Sequence, residues 1–210
     1  MSRIKRHKIS KAESGKAKKK DGLSKSAIIT LIIGGVMLLS TFGIMFSSYN
    51  SGTESVKYGD YMFKKTTAGW QTKINGKEVV FGYHPIDLEK LNISKEVTQR
   101  MLGAKVVYVT FNPNSKHVDK YELARYELGN SLAELFTVYA MPGITEANST
   151  YKQPIVTCLN ATSSIPVIDI VEGNETKASV EANCITLQAD EYTIIALKDR
   201  LLYSMLGIMT

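Results

Sequence analysis

The apolar positions divide the chain into one long apolar run near the amino end and a series of shorter segments after it. The run extends from Ala27 to Phe46 and contains 20 residues without a charge. A helix of this length spans about 30 Å, the thickness of a bilayer hydrocarbon core. The pattern therefore predicts a transmembrane helix over 26–46. Its length favours an uncleaved signal-anchor over a cleaved signal peptide, whose apolar region has about 7 to 15 residues.

The segments after residue 58 predict one compact domain with helices and strands. A β-hairpin is expected around Asn75-Gly76, because this dipeptide supplies the positive φ angles of a type I′ turn. Apolar positions spaced by three and four predict an amphipathic helix over 119–136, between strands at 105–111 and 137–141. A strand–helix–strand unit of this kind pairs its two strands in parallel.

The remaining segments predict a strand-rich domain of α+β class, in which one N-terminal transmembrane helix precedes one globular mixed-sheet domain. The pattern does not decide whether Ile194–Leu197 is helix or strand. The other strands are expected at 61–65, 70–74, 78–82, 154–158, 166–171, 178–182 and 184–189, and the other helices at 94–102 and 199–206.

Charge predicts the topology. Residues 1–25 contain ten basic and two acidic residues, a net charge of +8, whereas residues 47–210 contain 16 basic and 18 acidic residues, a net charge of −2. Short basic flanks stay in the cytoplasm. We therefore expect a single-pass protein of the cell membrane with a cytoplasmic amino end and its carboxyl-terminal domain outside. The expected regions are a basic disordered tail (1–25), the membrane helix (26–46), a Ser/Gly-rich stalk (47–57) and an extracytoplasmic globular domain (58–210).

This topology also predicts the partners. The lipid bilayer is one, and other membrane or envelope proteins are further candidates. Small residues at Thr30, Gly34 and Gly35 would allow two membrane helices to approach closely and form a homo-oligomer. The basic tail has no aromatic residue to stack on bases, so we expect no nucleic-acid partner.

Two features of residues 47–210 are typical of an extracytoplasmic domain. The chain has two cysteines, Cys158 and Cys184, and an even pair in such a domain suggests a disulfide. Two buried thiols or a metal site are the alternatives, but we expect no metal and no cofactor, since the chain has no Cys-x-x-Cys. Four Asn-x-Ser/Thr sequences are candidates for N-glycosylation: Asn92, Asn148, Asn160 and Asn174.

The sequence contains none of the standard catalytic motifs. A phosphate loop, Gly-x-Gly-x-x-Gly, Gly-x-Ser-x-Gly and His-Glu-x-x-His are all missing. His84 could act with a serine and an aspartate, and Asp199 could pair with Arg200. A histidine before proline is more often a packed or turn residue, and a helix-end ion pair or cap is the more common role of such an Asp-Arg pair. The catalytic residues therefore stay unknown, and the pattern favours a protein that is not an enzyme.

Two resemblances bear on the fold. The order strand, helix, strand and then Pro166-Val167-Ile168 resembles the thioredoxin-like order, a three-layer α/β fold in which the proline at the start of the third strand is cis. The enzymes of that family carry Cys-x-x-Cys where this chain has Asn112-Pro-Asn-Ser, so the resemblance implies a binding or scaffold role rather than oxidoreductase activity.

The second resemblance rests on several short motifs and concerns most of the region after residue 58. The chain resembles a group of uncharacterised archaeal single-pass membrane proteins with an extracytoplasmic C-terminal domain, a family that implies no activity. In that resemblance Cys158 and Cys184 keep fixed neighbours, as disulfide partners would. The motifs are Tyr83-His-Pro, Cys158-x-Asn-Ala-Thr162, Pro166-Val-Ile, Asn183-Cys-Ile, Asp199-Arg-Leu-Leu-Tyr203 and Gly207-Ile-Met209.

The sequence as a whole predicts a membrane-anchored extracytoplasmic binding or assembly module of unknown ligand. The alternative is an extracytoplasmic enzyme, either a thioredoxin-like relative or a hydrolase, whose site forms only in three dimensions. A deep pocket lined by His84, Asp199, Arg200 or clustered acids would favour the enzyme. A flat apolar surface would favour the binding module.

Overall fold

A computed structural model describes residues 24–49 and 54–209. The helix α1 (Lys25–Tyr49) and the residues from Thr53 onward belong to separate compact units. The predicted basic tail lies outside the described residues, apart from residues 24 and 25. The second unit contains the helices α2 (Lys95–Leu102), α3 (Val118–Phe136) and α4 (Ile194–Met205). Its strands are β1 (Ser55–Tyr58), β2 (Tyr61–Thr66), β3 (Gly69–Ile74), β4 (Lys77–Phe81), β5 (Val106–Phe111), β6 (Tyr139–Pro142), β7 (Val167–Glu172), β8 (Lys177–Glu181) and β9 (Cys184–Ala189).

The helical prediction for the apolar run is confirmed by α1, but the membrane prediction is not. Across the described ranges 24–49 and 54–209, no helix is both long and apolar enough to cross a bilayer.

This finding contradicts the predicted transmembrane helix at 26–46 and the single-pass topology that followed from it. The predicted localisation, with the amino end in the cytoplasm and the carboxyl-terminal domain outside a cell membrane, is contradicted with it. Self-association through Thr30, Gly34 and Gly35 is not tested by the structure and stays a prediction.

Strands β1 to β4 form a four-stranded antiparallel sheet in chain order. The predicted hairpin is confirmed, since β3 and β4 pair antiparallel across Asn75 and Gly76, whose φ angles are 49° and 84°. These positive angles are the reason for the Asn-Gly dipeptide at this turn. Strand β1 begins at Ser55, within the segment predicted to be a stalk.

The second sheet has five strands in the order β6-β5-β7-β9-β8. The parallel pairing of β5 with β6 through α3 is confirmed, and β7 and β9 continue the parallel arrangement. Strand β8 pairs antiparallel with β9 at the edge. The prediction of one mixed sheet is therefore wrong. A 3₁₀ helix at Pro85–Leu88 and α2 separate β4 from β5, so the antiparallel meander pairs only with itself.

Helix α4 packs on both sheets, and ten of its twelve residues are buried. Tyr203 contacts Phe81 of the antiparallel sheet with ring centroids 4.3 Å apart, and α4 also packs on β9. Residues 194–197, which the pattern left undecided, are its first turn. The predicted cap of α2 is confirmed, because Ser94 Oγ accepts a hydrogen bond from Val97 N at 3.5 Å.

Segment 143–165, whose regular structure is one short 3₁₀ helix at Cys158–Asn160, covers part of the other face of the mixed sheet. Its residue Val156 packs there with Val167 and Cys184. The strand predicted at 154–158 is wrong, because this segment makes only an isolated bridge between Ile144 and Ile155 and then turns into a short 3₁₀ helix.

The structure also contradicts the thioredoxin-like arrangement. Helices do not cover both faces of the mixed sheet, since segment 143–165 takes that place on one of them. None of the peptide bonds in the described residues is cis, so Pro166 does not have the conformation that the resemblance implied.

Candidate functional site

A crevice lies at the carboxyl ends of β5 and β7, the two neighbouring parallel strands at which the chain changes direction across the sheet. From β5 the chain crosses to β6 on one side and then returns to β7 on the other. Ligands of open α/β sheets bind at such a switch point, because the diverging connections leave a gap between the strand ends. The crevice has a volume of about 520 Å³. It is lined by Asn112, Asn114, Ser115, Lys116, Thr145, Thr157, Asp169, Ile170, Val171 and Glu172.

Asp169 is the only acidic residue in the interior of β7, and the alternation of the strand explains its direction. Ile168 and Ile170 are buried in the main core beneath the helices. Successive side chains point to opposite faces, so Asp169 lies on the other face, next to its register partners Thr110 and Thr186. It is half-buried and lines the crevice.

The carboxyl group of Asp169 lacks a partner among the described residues. Its Oδ1 atom is buried and accepts no hydrogen bond from them. Burial raises the pKa of Asp169 from 3.8 to about 6, and no neighbouring charge contributes to the shift. The protein therefore holds a carboxyl group in a crevice without compensating its charge, which is costly in the absence of a ligand.

One rim of the crevice is fixed by a network of carboxamides around Glu146. Asn112 and Asn114 donate to its two carboxylate oxygens, from Nδ2 to Oε1 at 2.6 Å and from Nδ2 to Oε2 at 3.1 Å. Asn148 Nδ2 donates to Asn114 Oδ1 at 2.8 Å. Because each acceptor is matched by a donor, the loop that follows β5 is held in one position.

Segment 143–165, which contributes Glu146 and Asn148 to this network and Thr145 and Thr157 to the lining, is also tied to the sheet at three points. Thr145 N donates to Phe111 O at 3.0 Å, which extends the pairing of β5. Thr110 Oγ1 donates to Val156 O at 2.9 Å beneath the crevice. The predicted disulfide is present between Cys158 and Cys184, with Cα atoms 5.2 Å apart, and it joins the residue after Thr157 to β9.

The residues that sequence reasoning singled out for catalysis lie elsewhere, in the packing around α4. His84 is buried against Phe63 and Trp70, with ring centroids 4.9 and 4.7 Å away, and its Nδ1 accepts a hydrogen bond from Ile86 N at 3.3 Å. Arg200 Nε donates to Leu91 O at 2.6 Å. These contacts join the antiparallel sheet, the 3₁₀ helix and α4, and so they are structural.

Asp199 is also structural, and it does not pair with Arg200. Its Oδ2 accepts from Tyr83 N at 3.0 Å, and its Oδ1 lies 2.6 Å from Lys198 Nζ. Lys198 Nζ also donates to Glu127 Oε2 of α3 at 2.8 Å. Burial lowers the pKa of Lys198, but the two carboxylates outweigh it and the net pKa is raised. Burial raises the pKa of Asp199 in spite of the lysine.

The four predicted glycosylation residues lie in different environments. Three are exposed, and the fourth, Asn148, is half-buried. The Nδ2 atom of Asn148, which would carry the sugar, donates to Asn114 Oδ1. Modification of these residues stays a prediction. The exposed ones are Asn92, Asn160 and Asn174.

Sequence reasoning missed Asp169. The signal that could have identified it is a single carboxylate inside the run Val167-Ile-Asp-Ile-Val171, where it interrupts an otherwise apolar strand. In the part of the chain that the structure describes, His, Cys, Asp and Glu side chains form no group of three that could hold a metal ion.

Comparisons with known proteins add no relative. No family model, curated protein or solved structure matches the chain. The fold and the crevice are therefore the basis for a functional argument.

Proposed function

We propose that this protein is a binding module whose ligand is a small polar molecule held in the crevice at the carboxyl ends of β5 and β7. The observation that carries the proposal is the Asp169 carboxyl group, which lines the crevice without a partner. Buried polar groups in proteins are almost always hydrogen-bonded. Among the described residues, five buried side-chain atoms have no such partner, and Asp169 Oδ1 is the one of them that belongs to a residue lining the crevice. A ligand with hydrogen-bond donors supplies that partner.

The size and lining of the crevice support a small-molecule ligand. Its volume of about 520 Å³ lies within the range of about 300 to 1,000 Å³ that is typical of ligand sites. The lining offers hydroxyl groups from Ser115, Thr145 and Thr157 besides the carboxyl group. The rims are also preorganised by the Glu146 network and the disulfide, which lowers the entropic cost of binding.

Fragment screening by NMR on the ¹⁵N-labelled full-length protein tests the proposal. We expect fragments with amine or hydroxyl groups to shift the amide resonances of 110–116, 145, 157 and 169–172, with α2 and the β3–β4 hairpin unchanged. Asp169→Asn should weaken these shifts, whereas Glu181→Gln, which changes an exposed acid on β8 of the same sheet, should not. Fragments that shift only residues outside the crevice would contradict the proposal.

A second candidate function is general acid–base catalysis by Asp169. It is favoured by the raised pKa of this residue, about 6, because catalytic acids and bases work best near the ambient pH. In that case a bound fragment that carries a hydrolysable bond would turn over, and Asp169→Asn would abolish turnover while it weakens binding only modestly. Binding without turnover across a panel of ester, amide and glycoside fragments would argue against it.

A further inference from the structure

The charged residues that line the crevice narrow the chemical class of its ligand, an inference that rests on the proposed function of the crevice. Two of its lining residues, Asp169 and Glu172, are acidic, and one, Lys116, is basic. Lys116 is exposed, so its ammonium group can stay in water. The only cause of the raised pKa of Asp169 is burial, so attraction to Lys116 does not offset the cost of its charge.

The carboxamides of the loop after β5 do not supply the missing partner either. Asn112 and Asn114 donate to the two carboxylate oxygens of Glu146, and neither donates to Asp169 Oδ1 in the described structure. Thr110, the register partner of Asp169 on β5, donates its hydroxyl to Val156 O at 2.9 Å. Thr110 is therefore committed to another acceptor, and no donor among the described residues hydrogen-bonds the buried Oδ1 of Asp169.

We propose that the ligand of the crevice is an organic ammonium ion, whose charged nitrogen pairs with the carboxylate of Asp169. A cation next to a partly desolvated carboxylate gains a charge-assisted hydrogen bond, which is stronger than a neutral one. A ligand anion would be repelled by Asp169 and Glu172. A neutral alcohol would satisfy the hydrogen bond but leave the charge uncompensated.

Three matched probes test this ligand class against the full-length protein with its disulfide intact, at pH 7.5. They are 4-aminobutan-1-ol, butane-1,4-diol and 4-hydroxybutanoate, which share a four-carbon chain and one hydroxyl group and differ in the charge at the other end. Titration followed by ¹⁵N chemical shifts gives both the Kd and the place of binding. We expect the amine to bind in the crevice with a Kd at least about tenfold lower than that of the diol.

The variants separate the carboxylate from the shape of the site. Asp169→Asn keeps the size of the side chain and removes its charge, so the Kd of the amine should rise about tenfold and approach that of the diol. Glu181→Gln should leave it unchanged. An amine that binds the crevice of Asp169→Asn as tightly as that of the wild type would overturn the assignment of its partner.

The remaining outcomes distinguish the two proposals. If the diol or the hydroxybutanoate binds in the crevice as tightly as the amine, the ligand is not a cation, and the proposed binding function stands. If none of the three probes shifts the crevice resonances at 50 mM, and the fragment screen also leaves them unchanged, the proposed function itself is wrong.

Discussion

Burial raises the pKa of two aspartates in this protein whose surroundings are opposite. Asp199 lies inside α4, fully buried, with Lys198 Nζ at 2.6 Å and Tyr83 N at 3.0 Å. The buried Oδ1 atoms of both residues accept no hydrogen bond from the described residues, but that of Asp199 forms an ion pair with Lys198, whereas that of Asp169, at the end of a parallel sheet, forms none there. The difference shows that burial alone does not mark a functional residue. What distinguishes the two is whether the fold itself provides the partner.

The partners of Asp199 also explain its position in the fold. A Cβ atom added at Gly82 would lie 3.3 Å from Asp199 Oδ2, so the glycine allows the chain after β4 to approach the carboxylate. Lys198 continues the contact to Glu127 on α3. The cluster thus joins the antiparallel sheet to both long helices of the domain. The Asp169 carboxyl group joins no elements of the described structure together.

The largest expected effect is on stability, from removing the paired aspartate. Asp199→Ala leaves Lys198 buried with only Glu127, and Tyr83 N without its acceptor, so we expect the free energy of unfolding to fall by about 4 kcal/mol. Urea unfolding followed by circular dichroism measures it. Asp60→Ala, which removes an exposed aspartate in the β1–β2 turn, is the control and should change stability by less than about 0.5 kcal/mol. A loss below about 1 kcal/mol for Asp199→Ala would remove the contrast between the two aspartates.

The sequence predicted the elements better than their arrangement. The hairpin at Asn75-Gly76 was predictable because the turn depends on the φ preferences of two adjacent residues. The unit of β5, α3 and β6 was predictable from periodicity within one continuous segment. The division into two sheets was not, because it depends on which strands pair across long separations in the chain.

The same limit applies to the candidate site. Asp169 could be read from the sequence as a polar interruption in a strand, but its lack of a partner depends on three segments that meet only in the fold. Asp199 and Arg200 were adjacent in the sequence, which suggested a pair, although their side chains contact different elements. Cys158 and Cys184 were predictable as a candidate disulfide because the chain offers no other cysteine.

The second largest effect concerns the wall of the crevice. The disulfide closes a loop with a sequence separation of 26, and removing it should cost about 3.5 kcal/mol in the chain-entropy model. We expect the double variant Cys158→Ser/Cys184→Ala to unfold at correspondingly lower urea concentration. Hydrogen exchange should accelerate first at 143–165, while α4 around Asp199 stays protected. Equal acceleration in both regions would mean that the two sites are not independent.

The third prediction uses pH to isolate the unpaired aspartate. The native state keeps the Asp169 proton up to a pKa of about 6, whereas the unfolded chain releases it near 3.8. The native state therefore binds more protons between these values, so stability falls as the pH rises through this window. A shift of this size corresponds to at most about 3 kcal/mol.

Asp169→Asn removes this titration and leaves the rest of the protein unchanged. Wild type and variant should have similar free energies of unfolding at pH 4, and the variant should become the more stable of the two by up to about 3 kcal/mol above pH 7. Urea unfolding of both proteins from pH 4 to pH 8 gives the difference, in which the titration of Asp199 cancels. A difference that does not change with pH would mean that the pKa of the Asp169 carboxyl group is the same in the folded and the unfolded protein.

The smallest effect tests whether the floor of the crevice is as rigid as its hydrogen bonds indicate. Thr110→Val removes the donor to Val156 O beneath segment 143–165, which should cost about 1 kcal/mol. Since Thr110 is also the register partner of Asp169, the loosened segment should admit water to the carboxyl group and lower its pKa from about 6 towards 3.8. The ¹³C shift of the Asp169 carboxyl carbon, followed against pH, measures this change.

Thr186→Val, at the register partner of Asp169 on β9, is the matched control. It should leave the pKa of Asp169 raised, because the Thr186 hydroxyl forms no hydrogen bond to segment 143–165 in the described structure. If both variants lower the pKa equally, the burial of Asp169 depends on the hydroxyl groups of the sheet rather than on the segment above it.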